Sequence, residues 1–167
     1  MKNMTLLDGL SEFGLVSHKV EGRSMEPMLY SGRDIVTILK TKPEDIFSVS
    51  DVVLFKKKEK PILHRVVKIE GDDCIHVLGD NCSKADIISK NQICGILHSF
   101  THDGTWYGVK DERYLEYIKK LRLCEHKRKR RKYIYDLITN LFRFLDKSSM
   151  DRLKKFLDKH VKLRIVF

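Results

Sequence analysis

The sequence predicts a mainly β domain, a folded antiparallel sheet or small barrel, followed by an α-helical basic C-terminal extension. Two patterns and one charge asymmetry predict it. Apolar, β-branched runs separated by Gly, Asp, Pro and Lys clusters fill the first 110 residues, as short strands joined by turns do. From Asp111 the apolar residues recur every three and four positions, the spacing of helices that bury one face. Residues 1–110 carry 15 Lys+Arg against 15 Asp+Glu, whereas residues 111–167 carry 18 against 8 and so hold the whole net charge of +10. The boundary is therefore set between a domain over 1–110 and an extension over 111–167.

In chain order, Thr5 to Phe13 reads as a short helix ended by Gly14. Strands are predicted at Asp34–Leu39, Asp51–Phe55, Ile62–Ile69, Cys74–Leu78, Ile93–Phe100 and Trp106–Val109, with Lys56 to Lys60 as a solvated hairpin tip before Pro61. Several short strands with turn punctuation favour a sheet folded on itself. In the extension, Tyr114, Tyr117, Ile118, Leu121 and Cys124 predict a helix over about 111–125. Ile134, Leu137, Ile138, Leu141, Phe142 and Leu145 predict another over about 131–146. Ser148-Ser149-Met150-Asp151 looks like the start of a third, with Leu153, Phe156, Leu157 and Val161 on one face.

Several function classes lose support at once. Cys74, Cys82, Cys94 and Cys124 form no C-x-x-C pair and no zinc-type Cys/His spacing, so they read as free thiols in a reducing compartment. No H-E-x-x-H occurs, and neither a metal nor a cofactor is expected. A spanning helix needs about 20 successive apolar residues. Lys2, Asp8, Glu12, His18 and Lys19 interrupt the N-terminus, and Asp136, Asn140 and Arg143 break the tail's longest apolar stretch. A cytoplasmic or peripherally membrane-associated protein is expected.

Three short segments carry the chemistry: Gly22-Arg23-Ser24-Met25-Glu26-Pro27, Leu63-His64-Arg65-Val66-Val67, and Gly79-Asp80-Asn81 with Asp86 following. A serine hydroxyl is a poor nucleophile until a neighbouring base takes its proton. Histidine suits that task near neutral pH, and a carboxylate on its other nitrogen fixes its orientation. Each residue also has a plain structural reading: a turn serine before Pro27, a strand histidine, and a Gly-Asp-Asn turn.

The flanking text favours the chemical reading. Gly-x-Ser-Met-x-Pro, Ser31-Gly32-Arg33-Asp34, Ser50-Asp51-Val52-Val53-Leu54-Phe55, His64-Arg65-Val66-Val67 and Gly79-Asp80-Asn81 resemble, in order, the boxes of the type I signal peptidases. That family shares its fold with the proteolytic domains of self-cleaving repressors, and the likeness spans roughly residues 17–100. A histidine followed by Arg-Val resembles the endoplasmic-reticulum, archaeal and spore-former branch, which uses histidine where most bacterial enzymes use lysine. The resemblance implies Ser24 as nucleophile, its backbone N–H as a donor to the oxyanion, and His64 as general base and later acid. It implies Asp86 as the residue orienting His64, with Asp80 holding the loop or sharing that role.

The expected activity is a serine endopeptidase acting on an extended peptide or protein substrate, such as a leader-bearing peptide. The lack of a spanning anchor separates this chain from the secretory members. Lys127 to Lys132 would draw phosphate, on an anionic membrane surface in preference to nucleic acid, unless those charges merely stay solvated beside packed helices. The alternative function is a non-catalytic or self-cleaving repressor-like regulator that binds through this tail. Only 23 residues precede Ser24, too few for a repressor's DNA-reading domain, and the presence of Ser24, His64, Asp80 and Asp86 together favours the enzyme.

Overall fold

The computed structural model describes residues 5–58, 60–123, 137–138, 140–142 and 146–160. Helix α1 spans Leu6–Phe13. Thr5 caps it: its Oγ1 accepts from the Asp8 N–H while the Asp8 carboxylate accepts from the Thr5 N–H, which satisfies two of the donors a helix start leaves open. Gly14, at φ 73°, takes the left-handed conformation that ends the helix and donates its N–H to Leu10 O.

Among the described residues eight strands follow: β1 (Leu15–Lys19), β2 (Ile35–Lys40), β3 (Val52–Lys57), β4 (Lys60–Glu70), β5 (Cys74–Leu78), β6 (Asp86–Ile88), β7 (Ile93–His102) and β8 (Thr105–Gly108). They form one antiparallel sheet in the order β1-β2-β7-β3-β4-β5-β6, with β8 paired to β7. The six strands expected from the sequence are present, with β7 reaching His102. Strands β1 and β6 are additions. β1 lies at the sheet margin, where Leu15 stays exposed and the half-buried positions are Val16 and His18, so the residue types carry no apolar alternation, and β6 has only three residues. The hairpin between β3 and β4 is also tighter than expected, since Lys57 pairs with Lys60.

Register shifts at Thr37/Ile38, Leu54/Phe55 and Val66/Lys68 bend the strands they interrupt. Val53, Phe55, Val66, Ile75, Val77, Ile88 and Ile93 form an apolar cluster with Phe47. Val53 faces His64 across β3–β4, and Val66 faces Val77 across β4–β5. Directly opposed residues share a face, so His64 stands on the side of the sheet that carries this core.

Two helices are described after the sheet, α2 (Glu112–Leu123) and α3 (Lys147–His160), which do not by themselves establish the expected basic helical extension. The second expected helix, over 131–146, and the basic run at Lys127 to Lys132 fall largely or wholly outside the described residues. The chain divides into two units, one running through Ile118 and the other Lys119–Val166. Among the described residues no helix is long and apolar enough to cross a membrane.

Candidate active site

Ser24 sits half-buried in the turn-rich segment between β1 and β2, ahead of the cis Glu26–Pro27 bond. The foot of this segment is fixed by Asp34, which is fully buried. Its carboxylate accepts from Arg33 Nε at 2.7 Å and Nη2 at 2.9 Å, from the Tyr30 N–H at 2.8 Å and from the Asp103 N–H at 3.2 Å. Burial pushes the Asp34 carboxyl up, but Arg33 and the two backbone donors outweigh it and hold the group below the ordinary 3.8. The Ser31-Gly32-Arg33-Asp34 segment is thus the anchor of the serine loop.

The Gly79-Asp80-Asn81 turn holds the loop from the other side. The Asn81 N–H donates to Ser24 O at 2.7 Å, and Asn81 Nδ2 donates to Arg23 O at 3.1 Å. Gly79 has a separate reason to be glycine. A Cβ there would stand 2.6 Å from Ser24 O, 2.8 Å from Cys82 Sγ and 3.0 Å from His64 Nε2. The backbone of Ser24, the thiol of Cys82 and the outer nitrogen of His64 therefore converge on one point that only a missing side chain leaves open.

His64 is placed by β4, where Arg65 pairs with Leu78 so that the next residue along, Gly79, comes opposite the histidine. Its ring packs at 60° against Phe55 with centroids 5.8 Å apart. Nδ1 is buried without a hydrogen-bond partner. Burial lowers the His64 pKa from 6.5; Asp86 and then Asp80 pull it back up, and Lys57 adds to the lowering. The imidazole is therefore neutral at pH 7, the form a base needs.

The two aspartates occupy different settings. Asp86 lies on β6 and accepts from Lys57 Nζ at 2.5 Å. Asp80 is buried and takes a two-pronged contact from Arg65, Nε to Oδ1 at 2.9 Å and Nη2 to Oδ2 at 2.7 Å, while Tyr117 OH donates to Oδ2 at 3.0 Å. Arg65 also donates to Ser50 O and to Tyr114 OH, both at 2.9 Å. Despite burial, Asp80 holds the Arg65 guanidinium above its ordinary pKa. Neither carboxylate bonds to the His64 ring, whose Nδ1 has no partner, so the orienting contact expected from Asp86 is absent from this structure; the two carboxylates only raise the His64 pKa through charge, Asp86 before Asp80.

A cavity of about 570 Å³ opens beside Ser24 and His64. Val20, Met25, Leu29, Val36, Ile38 and Leu54 line it with apolar surface. Neither Arg65 nor Asn81 carried a role of its own in the sequence reading. Strand alternation was the available signal for Arg65: with His64 on one face, residue 65 lies on the other, and a buried guanidinium there demands a carboxylate. Compared with known proteins, this chain matches no protein family and no curated relative.

Proposed function

We propose that this chain is a serine endopeptidase resembling signal peptidase I, which hydrolyses a peptide bond in an extended protein or leader-peptide strand. The observation that carries the reading is the convergence of the Ser24 backbone and His64 Nε2 on the space above Gly79, at the mouth of an apolar cavity.

In this reading His64 Nε2 takes the Ser24 hydroxyl proton as Oγ attacks the substrate carbonyl carbon. The C–O bond forms, the carbonyl electrons move to oxygen, and the Ser24 N–H donates to that oxyanion. The imidazolium then protonates the departing amine as the C–N bond breaks. Water, deprotonated by the same histidine, releases the acyl group. Asp86 favours the imidazolium through its charge, and Asp80 keeps β4 in place through Arg65. Apolar lining suits uncharged side chains of an extended strand laid against the sheet. The enzyme would work in the cytosol or at a membrane surface, with Lys127 to Lys132 as the contact to anionic lipid.

The test is cleavage of a pooled library of extended peptides by the wild type and by Ser24→Ala, read by mass spectrometry, with circular dichroism confirming that both are folded. Cleavage by the wild type that vanishes in Ser24→Ala is expected. Absence of cleavage by folded wild type, with lipid vesicles also present, would turn the reading towards the repressor-like or membrane-binding alternative.

A further inference from the structure

At the far end of β4 from His64, the turn into β5 gathers a second set of reactive side chains. Glu70 and Cys74 are directly paired across the hairpin, and Cys74 and His76 stand two residues apart on the same face of β5. Cys74 Sγ lies 3.8 Å from Glu70 Oε2 and 3.8 Å from His76 Nε2, and His76 Nε2 lies 3.0 Å from the same Glu70 oxygen. One thiol, one imidazole and one carboxylate thus present a donor atom each, all within 4.8 Å of one another.

These separations fit a small thiophilic cation. With zinc bonds of about 2.3 Å to sulfur and about 2.0–2.2 Å to nitrogen and oxygen, the edges of a tetrahedral site are about 3.4–3.6 Å. The three donors are a few tenths of an ångström from that triangle. Glu70 is already divided between two tasks: Oε1 pairs with Lys68 Nζ, which leaves Oε2 turned towards the thiol and the ring. The intervening turn, Gly71-Asp72-Asp73, adds two carboxylates to the tip. Cys74 and His76 are half-buried and Glu70 is exposed, so a fourth position would open to water.

We propose that Glu70, Cys74 and His76 form a three-ligand zinc site closed by a water molecule. Thiolate with imidazole selects zinc over the hard cations magnesium and calcium. Binding replaces the thiol S–H by an S–Zn bond and releases one proton to solvent. Glu70 stands six positions along β4 from His64, so the metal takes no part in peptide hydrolysis. It clips β4 to β5 beyond the bulge at Val66/Lys68 and stiffens the hairpin.

The full-length chain, stripped of metal and reduced, would be titrated with Co²⁺ and followed by absorption. One equivalent is expected to produce a thiolate-to-cobalt charge-transfer band together with the visible bands of a tetrahedral ion, and added Zn²⁺ is expected to abolish both. Cys74→Ser should remove the charge-transfer band, and His76→Ala should weaken Co²⁺ binding by about 100-fold or more. Cys82→Ser, Cys94→Ser and Cys124→Ser should leave the spectrum intact. No charge-transfer band in folded wild-type protein, or a band that persists in Cys74→Ser, overturns the proposal. The wild-type spectrum is decisive even if one variant folds poorly.

Discussion

Asp80→Asn is expected to damage stability far more than it damages chemistry. The substitution removes the charge from a carboxylate that Arg65 grips at 2.9 and 2.7 Å, with side-chain exposures of 6% for the arginine and 2% for the aspartate. Water cannot reach the abandoned guanidinium, and breaking such a pair from one side costs about 3–5 kcal/mol. Ser50 O and Tyr114 OH still accept from Arg65, which places the expected loss near the lower end, about 3 kcal/mol. With a urea dependence of about 1–3 kcal/mol per molar, the unfolding midpoint should fall by about 1–3 M. The assay is urea denaturation followed by circular dichroism. The double variant Asp80→Leu with Arg65→Met removes both charges and should be more stable than Asp80→Asn, because two apolar side chains leave no buried ion behind. A loss below about 1 kcal/mol for Asp80→Asn, or a double variant no better than the single, would refute the reasoning.

The remaining expectations concern the catalytic reading and its pH dependence. Ser24→Ala and His64→Ala should each remove most peptidase activity, and the double variant should be scarcely worse than either, as measured by initial rates. Asp86→Asn removes the stronger of the two charges that raise the His64 pKa, so the acid limb of the rate profile should move to lower pH, and further than in Asp80→Asn. Because burial lowers the His64 pKa in the folded state, the unfolded chain binds the proton more readily; stability should be full above about 6.5 and decline as the pH falls towards the lowered folded value, measurable as a falling midpoint in thermal melts. Gly79→Ala drives a Cβ to 2.6 Å from the Ser24 carbonyl oxygen, a backbone atom, and should cost about 1–3 kcal/mol in denaturation while cutting activity through displacement of the serine loop.

What could be read from the sequence was local. Helix α1 was legible because Thr5, Asp8 and Gly14 are capping residues whose effect does not depend on distant contacts. The longer strands were legible from β-branched runs. The short β6 was not, because three residues give no period to detect and their pairing with β5 is decided by the turn before them. The insertion of β7 between β2 and β3 was hidden for a similar reason: strand order is a property of long-range pairing, and no local residue records it. At the candidate site, Ser24, His64, Asp80 and Asp86 were named from flanking motifs. The division of labour within Gly79-Asp80-Asn81 is set by contacts distant in sequence, since a space-giving glycine, an arginine-gripping aspartate and a loop-clamping asparagine all read as turn residues. Glu70, Cys74 and His76 lie close in sequence, but only the hairpin register that sets Glu70 opposite Cys74 brings the carboxylate to the thiol and the ring.

The neighbouring residues His64 and Arg65 point to opposite sides of β4, one towards the serine loop and the other into the Asp80, Tyr114 and Tyr117 contacts. A slip of one residue along β3 would exchange their faces, turning the guanidinium towards the core side of the sheet and the imidazole away from it. The length of the tight connection between Lys57 and Lys60 is therefore a reading frame for the site. A single amino acid added there offers the strand two poor choices, a bulge that absorbs the extra residue or a swap that spoils both faces, whereas a pair added together extends the hairpin and leaves each side chain where it was.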